Sequence, residues 1–338
     1  MLDIFNSQAF SMVALTEAIN MVPNMYGRVR ELNIFPIKPV NTTTVAIEIK
    51  NNVLNLIPTQ PRGGPANQNV TGKRQLKSFR IPHIPLEDLI LADEVQNIRA
   101  FGTENQLQAV MNLVNERQIE IVNKFAITLE YLRNGALKGE VLDADGVTVL
   151  YNWFTEFGIE QESVDFALAT EGTNVAAKVL EVKRHIEDNL LGDTMTRIRA
   201  FCSPEFWEAL VSHPSVIEAY QFYQGVNNQR DDLRKGWEFQ GVVFEEYRGQ
   251  AEDAEGNARK FVPANEAIFF PEGTQNTFRT FVAPADFIET VNTMGLPLYS
   301  KLAIDKDFQR HVKIHAQSNP LPICMRPAVL VKGTKTSG

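Results

Sequence analysis

Cysteine and long apolar runs are both scarce in this sequence. Only two cysteines, Cys202 and Cys324, occur among 338 residues, which is too few for a disulfide framework or a four-ligand zinc site within one chain. We expect both to be reduced thiols that pack as small hydrophobic residues. No apolar run approaches the roughly 20 residues that a membrane-spanning helix needs, and the N-terminus lacks the basic start and apolar core of a signal peptide. The sequence therefore predicts a protein made and kept in the cytoplasm, without membrane contact.

Positive charge is also in short supply. Lysine and arginine number 33 against 41 aspartates and glutamates, which gives a formal net charge of -8 at pH 7. Because phosphate binding needs a concentrated positive surface, this balance disfavours a dedicated nucleic-acid-binding domain. A protein with an acidic surface can still surround DNA without binding it tightly. The composition, with 44% hydrophobic and 22% charged residues, is that of a folded globular chain.

Motifs for catalysis and cofactor binding are missing from the chain. The sequence contains no G-x-x-x-x-G-K-[ST], G-x-G-x-x-G, G-x-S-x-G or H-E-x-x-H motif. His311 and His315 are four residues apart, but they alternate with apolar residues, which predicts a strand rather than a helix. On a strand their side chains are too far apart to share a metal ion easily. We therefore predict no catalytic residue, no metal ligand and no cofactor.

The acidic clusters favour structural roles. Asp143-Ala144-Asp145-Gly146 resembles the start of a calcium loop, but the further ligands and the Glu at the twelfth position are absent. We interpret it as a hairpin turn. The adjacent pairs Asp231-Asp232 and Glu245-Glu246 are expected to be solvated or interface charges, since a carboxylate pair indicates catalysis only inside a cleft.

Residues 42 to 84 predict a long two-stranded arm. Apolar and polar residues alternate from Thr42 onward, as in a half-solvated strand. A loop tip rich in proline and glycine follows at 57–65, and a basic extended stretch returns over 73–84. Because an isolated two-stranded ribbon is marginally stable, we expect the arm to lie on another, acidic copy of the chain. The candidate contacts between subunits are Arg62, Gly63, Gly64, Lys73, Arg74, Lys77 and Arg80.

The strongest helical pattern covers residues 103–134. Apolar residues recur there at steps of three and four. Thr103 with Gln106 fits a capping box, and Gly135 fits the residue that follows a helix end. At 1.5 Å per residue, such a helix is about 45 Å long, which is longer than an ordinary helix of a globular domain. We call it the spine helix.

The segment 173–308 alternates helices and strands and predicts a compact domain. A helix is expected from Val175 to Leu190, and a second helix begins after Ser203 with proline in its first turn. The stretches 236–247 and 259–270 flank a polar turn and predict an antiparallel pair. A final strand is expected over Ala328 to Val331, after a Pro-rich stretch.

The last third of the chain carries the most specific strings. FVAPADFIETVN at 281–292 leads into GLPLYSK at 295–301, and QSNPLP at 317–322 and Arg326-Pro327 follow. With the Arg-Gly-Gly tip at 62–64, the spine helix and the order of segments, the sequence resembles the phage major capsid protein E family, the lambda-type major head proteins. The resemblance covers essentially the whole chain.

The resemblance implies the α+β Hong Kong 97 capsid fold and a domain division. The implied parts are an N-terminal arm (1–36), an extended loop (37–90), a peripheral domain (91–172) that contains the spine helix, an axial domain (173–308) and a C-terminal return to the peripheral domain (309–338).

The resemblance also implies a function. It predicts a major head protein of a tailed bacteriophage that assembles in the host cytoplasm into pentamers and hexamers of an icosahedral virion capsid around double-stranded DNA. Because no long scaffold-like extension precedes the arm, we expect a separate scaffolding protein, along with a portal and a maturation protease. The sequence leaves a decoration protein open.

Two other readings stay open at this point. One is another self-assembling structural protein, such as a tail-tube subunit or an encapsulin-like shell. The other is a cytoplasmic enzyme with an unfamiliar site in 173–308, which a deep pocket with convergent polar groups would distinguish.

Overall fold

The computed structural model describes residues 8–22, 27–49, 75–96, 106–223, 233–253 and 255–335. Helices and strands are mixed along this part of the chain, which confirms the predicted α+β class. The α-helices of the described residues are α1 (Met12–Met21), α2 (Arg28–Glu31), α3 (Ala92–Gln96), α4 (Gln106–Lys138), α5 (Trp153–Phe157), α6 (Val175–Asn189), α7 (Pro204–Ser212) and α8 (Pro214–Tyr223).

The strands form several small sheets and one large one. Short 3-10 helices lie at Gln8–Phe10, Leu233–Lys235, Ile288–Thr290 and Pro327–Val329. The strands are β1 (Ile37–Pro39), β2 (Thr44–Ile49), β3 (Gln75–Arg80), β4 (Ile84–Leu91), β5 (Glu140–Leu142), β6 (Val149–Asn152), β7 (Glu162–Asp165), β8 (Arg197–Cys202), β9 (Trp237–Phe239), β10 (Val242–Glu246), β11 (Gln250–Glu252), β12 (Ala258–Lys260), β13 (Glu266–Glu272), β14 (Phe278–Val282), β15 (Tyr299–Ile304), β16 (His311–Ser318), β17 (Pro320–Cys324) and β18 (Val331–Thr334).

The large sheet has six strands in the order β7-β18-β13-β8-β10-β9. Its central strands β8, β10 and β13 are almost continuously buried, as expected for strands covered on both faces. Phe269 on β13 stacks on Phe166 at 5.5 Å between ring centroids and meets Phe244 on β10 edge-on at 5.7 Å. These aromatic contacts join strands that are not neighbours in the sequence into one core.

The predicted pairing of 236–247 with 259–270 is wrong. Strand β8 lies between β10 and β13, parallel to the former and antiparallel to the latter. Its residues 198 to 202 are all buried, so β8 takes the central position where both of its faces are covered. Only the short strands β11 and β12 pair directly across the polar turn.

The helices of this region begin where the sequence predicts. Asn174 caps α6 by accepting a hydrogen bond from the Ala177 backbone N–H at 3.1 Å, and Ser203 caps α7 by accepting from Phe206 N–H at 3.2 Å. Both caps satisfy donors that the first turn of a helix leaves unpaired. The predicted final strand begins later than expected, because a 3-10 turn at Pro327–Val329 precedes β18.

A second unit consists of the sheet β15-β16-β4 with α1 and α4 packed on one face. Apolar residues of α4, including Val114, Ile121 and Phe125, are buried with Ile314 and Ile90 of the sheet. With 33 residues, α4 is about 50 Å long. The predicted spine helix is therefore confirmed over the described residues. Thr103 lies outside them.

The predicted end of the spine helix at Gly135 is wrong. The helix continues to Lys138, and Gly139, with φ +86°, adopts the left-handed conformation that ends it. Glycine is needed at position 135 for a different reason, because a Cβ there would lie 2.9 Å from the Glu140 carbonyl oxygen. The glycine lets strand β5 fold back closely against the helix.

Strand pairing links the ends of the chain to both sheets. β15 lies inside the predicted range 173–308 but pairs with β16, whereas β18, from the range 309–338, pairs with β13 and β7. A third sheet, β1-β14-β17, joins the N-terminal segment to the C-terminal one.

Cys202 and Cys324 are free and fully buried, and burial raises the pKa of Cys324 to about 12.

Asp193 connects the end of α6 to the turn before β14. Its carboxylate accepts hydrogen bonds from the Gln275 and Asn276 backbone N–H groups at 3.2 and 3.0 Å and from Thr277 Oγ1 at 2.8 Å. Burial acts to raise the pKa of Asp193, but these hydrogen bonds outweigh it and hold the pKa below its ordinary value.

We expect Asp193→Asn to lower the free energy of unfolding by about 1–3 kcal/mol at neutral pH, because charge-assisted hydrogen bonds are lost. Since the folded-state pKa is lowered, this contribution is present above the unfolded pKa of about 3.9 and is lost as the pH falls through the folded pKa. Urea unfolding at neutral and acidic pH measures it, with the exposed Asp188→Asn as control. A gap between wild type and Asp193→Asn that stays constant on acidification would contradict the assignment.

Candidate assembly site

A buried junction of charges joins the N-terminal segment to the large sheet. Arg28, at the start of α2, donates from Nε and Nη2 to the carboxylate of Glu245 on β10, at 2.6 and 3.1 Å. Arg199 on β8 donates from Nη1 to the same carboxylate at 2.5 Å. The Glu245 side chain is only 7% exposed. One carboxylate therefore holds two guanidinium groups from distant parts of the chain.

Arg199 extends the junction to a third strand. Its guanidinium also donates through Nε and Nη2 to the carboxylate of Glu272 on β13. This bridge is possible because β8 lies between β10 and β13, so a side chain of β8 reaches both neighbours. The hydrogen bond with Glu245 raises the pKa of Arg28 although burial acts against it, so the guanidinium stays charged.

The spine helix enters the junction through Glu130. Its Oε1 accepts from the Val29 backbone N–H at 2.7 Å and from the Tyr247 hydroxyl at 3.0 Å. Gly27, with φ +119°, makes this approach possible, because a Cβ there would lie 2.6 Å from Glu130 Oε2. Burial beside this carboxylate raises the pKa of Tyr247, which keeps the hydroxyl protonated as a donor.

Arg133 lies one turn after Glu130 and is also buried. Burial lowers its pKa to about 10, against the favourable charge of Glu130. Within the described part of the chain, its Nε has no hydrogen-bond partner. The spine helix thus carries both signs of charge into the protein interior within one turn.

The interpretation of Glu245-Glu246 as solvated or interface charges is wrong for Glu245, because the residue as a whole is 5% exposed and binds arginines of its own chain. The reason is its position at the end of a buried strand, directly after Val242, Val243 and Phe244. That apolar run, with Arg199 inside another buried strand, was the available signal for a buried ion pair. Asp231-Asp232 lies outside the described residues.

The described part of the two-stranded arm (42–84) packs against its own chain. β2 and β3 pair antiparallel as predicted, and Val45, Ile47 and Phe79 are buried. The Phe79 ring meets Trp153 edge-on at 5.5 Å, and the Tyr151 hydroxyl donates to the Arg80 carbonyl at 2.6 Å. Packing against α5 and β6 therefore supports the described part of the ribbon.

The seven predicted contact residues have different outcomes. Lys77 lies 3.7 Å from Glu156 of its own chain, measured from Nζ to Oε2. Arg80 is exposed, and its backbone carbonyl accepts the hydrogen bond from the Tyr151 hydroxyl. The residues that lie outside the described part of the chain are Arg62, Gly63, Gly64, Lys73 and Arg74.

The two histidines lie on strand β16, as predicted. His315 Nδ1 is 3.0 Å from Oε1 of Glu87, and Lys313 Nζ donates to Oε2 of the same carboxylate at 2.8 Å. The hydrogen bond with Lys313, followed by that with His315, lowers the pKa of Glu87.

Across the described ranges, no three ligating side chains are arranged to hold a metal ion, and no helix is long and apolar enough to cross a bilayer.

Asp143-Ala144-Asp145-Gly146 forms the predicted hairpin turn between β5 and β6. The Gly146 N–H donates to the Asp143 carbonyl at 2.9 Å, and Gly146 has φ +68°. Asp145 uses its carboxylate to accept from the Val147 and Thr148 N–H groups at 2.9 and 2.8 Å. These side chains stabilise the turn itself.

Comparison with known proteins identifies relatives over the whole chain. The family model described as "Phage major capsid protein E" matches residues 11–335. The major capsid protein of Pseudomonas phage KPP10 is 32% identical over 341 residues, which cover 96% of this chain and 96% of that protein. The major capsid protein of Salmonella phage Felix O1 (isolate Felix O1-VT1) is 26% identical, with 95% of each chain covered.

Solved structures share the fold at low sequence identity. A prophage protein of E. coli CFT073 superposes with a TM-score of 0.62 at 13% identity, and covers 98% of this chain and 100% of its own. A subunit of the mature capsid of bacteriophage PhiM1 gives a TM-score of 0.52 at 11% identity, covering 94% of this chain and 89% of its own. The predicted Hong Kong 97-like capsid fold is thereby confirmed.

The two glutamates that bind Arg28 allow a matched test of the junction. We expect Glu245→Ala to lower the free energy of unfolding by about 3 kcal/mol, because the carboxylate that both guanidinium groups share is lost, which leaves the buried Arg199 with Glu272 alone and Arg28 with only the exposed Glu31. Glu31 pairs with Arg28 at 2.8 Å but is 68% exposed, so Glu31→Ala should cost under about 1 kcal/mol. Denaturant unfolding of the unassembled chain measures both. Equal losses would show that the junction is not the stabilising element.

Proposed function

The chain belongs to the phage major capsid protein E family, and from this premise we propose that it builds an icosahedral phage head through pentamers and hexamers. Its shell-forming structural role in a virion follows from family membership. The finer proposal adds the two kinds of ring, the enclosure of double-stranded DNA and assembly in the host cytoplasm. It includes no catalysis by the chain itself.

The observation that carries the proposal is the match over nearly the whole chain, and the fold supports it with two sheets that buried charges join to the N-terminal segment. The junction of Arg28, Arg199 and Glu245 fixes the N-terminal segment on the large sheet, and Glu130 fixes the spine helix there. Many modest contacts between such bodies add up to a stable shell.

We assign the domains of this body by strand pairing. The six-stranded sheet with α6 and α7 corresponds to the axial domain, including β7 and β18 from outside the predicted range 173–308. The spine helix with β4, β15 and β16 corresponds to the peripheral domain. The predicted arm (1–36) and extended loop (37–90) keep their roles, except that β4 is shared with the peripheral sheet.

The basic residues of the extended loop are proposed contacts between subunits. The chain carries an excess of carboxylates, and three of them, Asp88, Glu94 and Glu120, surround a single arginine, Arg117, at 3.3 to 3.9 Å. An acidic surface of this kind suits a basic loop from a neighbouring copy. The proposed residues are Arg62, Gly63, Gly64, Lys73, Arg74, Lys77 and Arg80.

Further partners are proposed from the family resemblance. A scaffolding protein would bring subunits together in the right curvature, a portal would occupy one vertex, and a maturation protease would remove the scaffold.

We expect the wild-type chain, expressed alone or with a scaffolding protein from its genomic neighbourhood, to form polyhedral shells or capsomer rings. Lys73→Glu with Arg74→Glu should leave the chain folded but mostly unassembled, because the loop then repels an acidic neighbour. Sedimentation and negative-stain microscopy measure assembly, and circular dichroism checks the fold.

Lys178→Glu with Arg184→Glu, the same charge reversal on the surface of α6, is the control and should assemble normally. Assembly of the loop variant at the wild-type level would refute the role of these two residues. A wild-type chain that stays monomeric under both conditions would refute the proposed function.

A further inference from the structure

The connection between β14 and β15 exposes an unusual density of apolar side chains. Ile288 is 94% exposed, Val291 64%, Met294 55% and Leu296 44%. We call residues 287–296 the apolar loop. Isolated exposed apolar residues are ordinary on protein surfaces, but four within nine residues form a patch of the kind that marks an interaction site.

The apolar loop has a fixed conformation. Thr290 is buried, and its hydroxyl donates to the carbonyl groups of Ala285 and Phe287 at 2.7 and 2.9 Å. The Leu296 backbone N–H donates to the hydroxyl of Tyr299, a fully buried side chain, at 2.8 Å. The exposed side chains therefore project from a braced frame, which lowers the entropy that binding would have to remove.

Close packing beneath the loop adds to this rigidity. The Gly295 N–H donates to the Val40 carbonyl at 2.8 Å, next to the start of the extended loop. A Cβ on Gly295 would lie 2.1 Å from the Val282 carbonyl oxygen, so only glycine fits there. The loop is thus seated directly on the backbone of β14.

The one charged residue within the apolar loop, Glu289, is paired inside its own chain. Glu289 pairs with Lys301 at 2.7 Å, and the Lys301 ammonium lies 5.2 Å from the centre of the Phe287 ring. A surface with its charges paired internally does not repel an identical molecule. The local charges therefore suit a second copy of an acidic chain that would otherwise repel itself.

We propose that the apolar loop is a contact surface for a second copy of this chain. The inference rests on the proposed self-assembly, because a shell subunit meets its own copies more often than any other protein. Four side chains bury only a few hundred Å², well below the roughly 1,200 Å² of a stable interface. The contact is therefore too small to dimerise the free chain and acts as one of several contacts that form together in the shell.

Val291→Asp tests the proposal against a matched control. Val13, on the outer face of α1, is 61% exposed, close to the 64% of Val291. We expect Val291→Asp to raise the protein concentration needed for assembly by about tenfold or more, because each contact loses a buried valine and gains a buried charge. Val13→Asp should assemble like the wild type. Equal behaviour of the two variants, whether impaired or normal, would overturn the proposal.

Ile288→Cys tests burial of the apolar loop directly. The two native thiols are fully buried, so the new cysteine is the reactive one. We expect labelling of Cys at 288 by a maleimide to slow by about tenfold or more on assembly, as it enters the packed part of an interface.

The outcomes separate this inference from the proposed function. Shells in which position 288 is labelled as fast as in the free chain would overturn the apolar contact and leave the shell function intact. A wild-type chain that forms no assembly would overturn both.

Discussion

The need to pair charges inside the protein is the constraint on which the rest of the structure depends. Arg28, Arg199, Glu245 and Glu272 are drawn from the N-terminal segment and three strands, and each is at least partly removed from water. A buried ion that loses its partner is strongly unfavourable. The junction therefore ties together segments that are far apart in sequence.

The apolar core and the charge junction have different roles. Phe201, Phe244 and Phe269 provide much of the apolar area that stabilises the six-stranded sheet, but apolar packing tolerates the exchange of one apolar side chain for another. Hydrogen bonds between fixed donors and acceptors allow far fewer arrangements. The junction thus selects one relative placement of spine helix, N-terminal segment and sheet, and the core stabilises it.

Local features were predictable from the sequence, and non-local ones were not. The periodicity of α4, the Ser203 cap of α7 and the turn at Asp143 each depend on a few neighbouring residues, so sequence patterns identify them. The pairing of β10 with β8 depends on a strand made about forty residues earlier. Gly135 was misread because a glycine needed for close approach looks the same in sequence as one that ends a helix. Glu245 was misread because its burial depends on Arg199 and Arg28.

The division of both sheets between early and late parts of the chain has a consequence for synthesis. β4 pairs with β16, and β7 and β13 pair with β18. The β15-β16-β4 sheet and the six-stranded sheet are therefore incomplete until these late strands have left the ribosome. Such long-range pairing makes folding slow and dependent on the finished chain. A chain that terminates before β16 lacks both β16 and β18 and can complete neither sheet, so such a truncated copy does not have the surfaces with which an intact copy meets its neighbours.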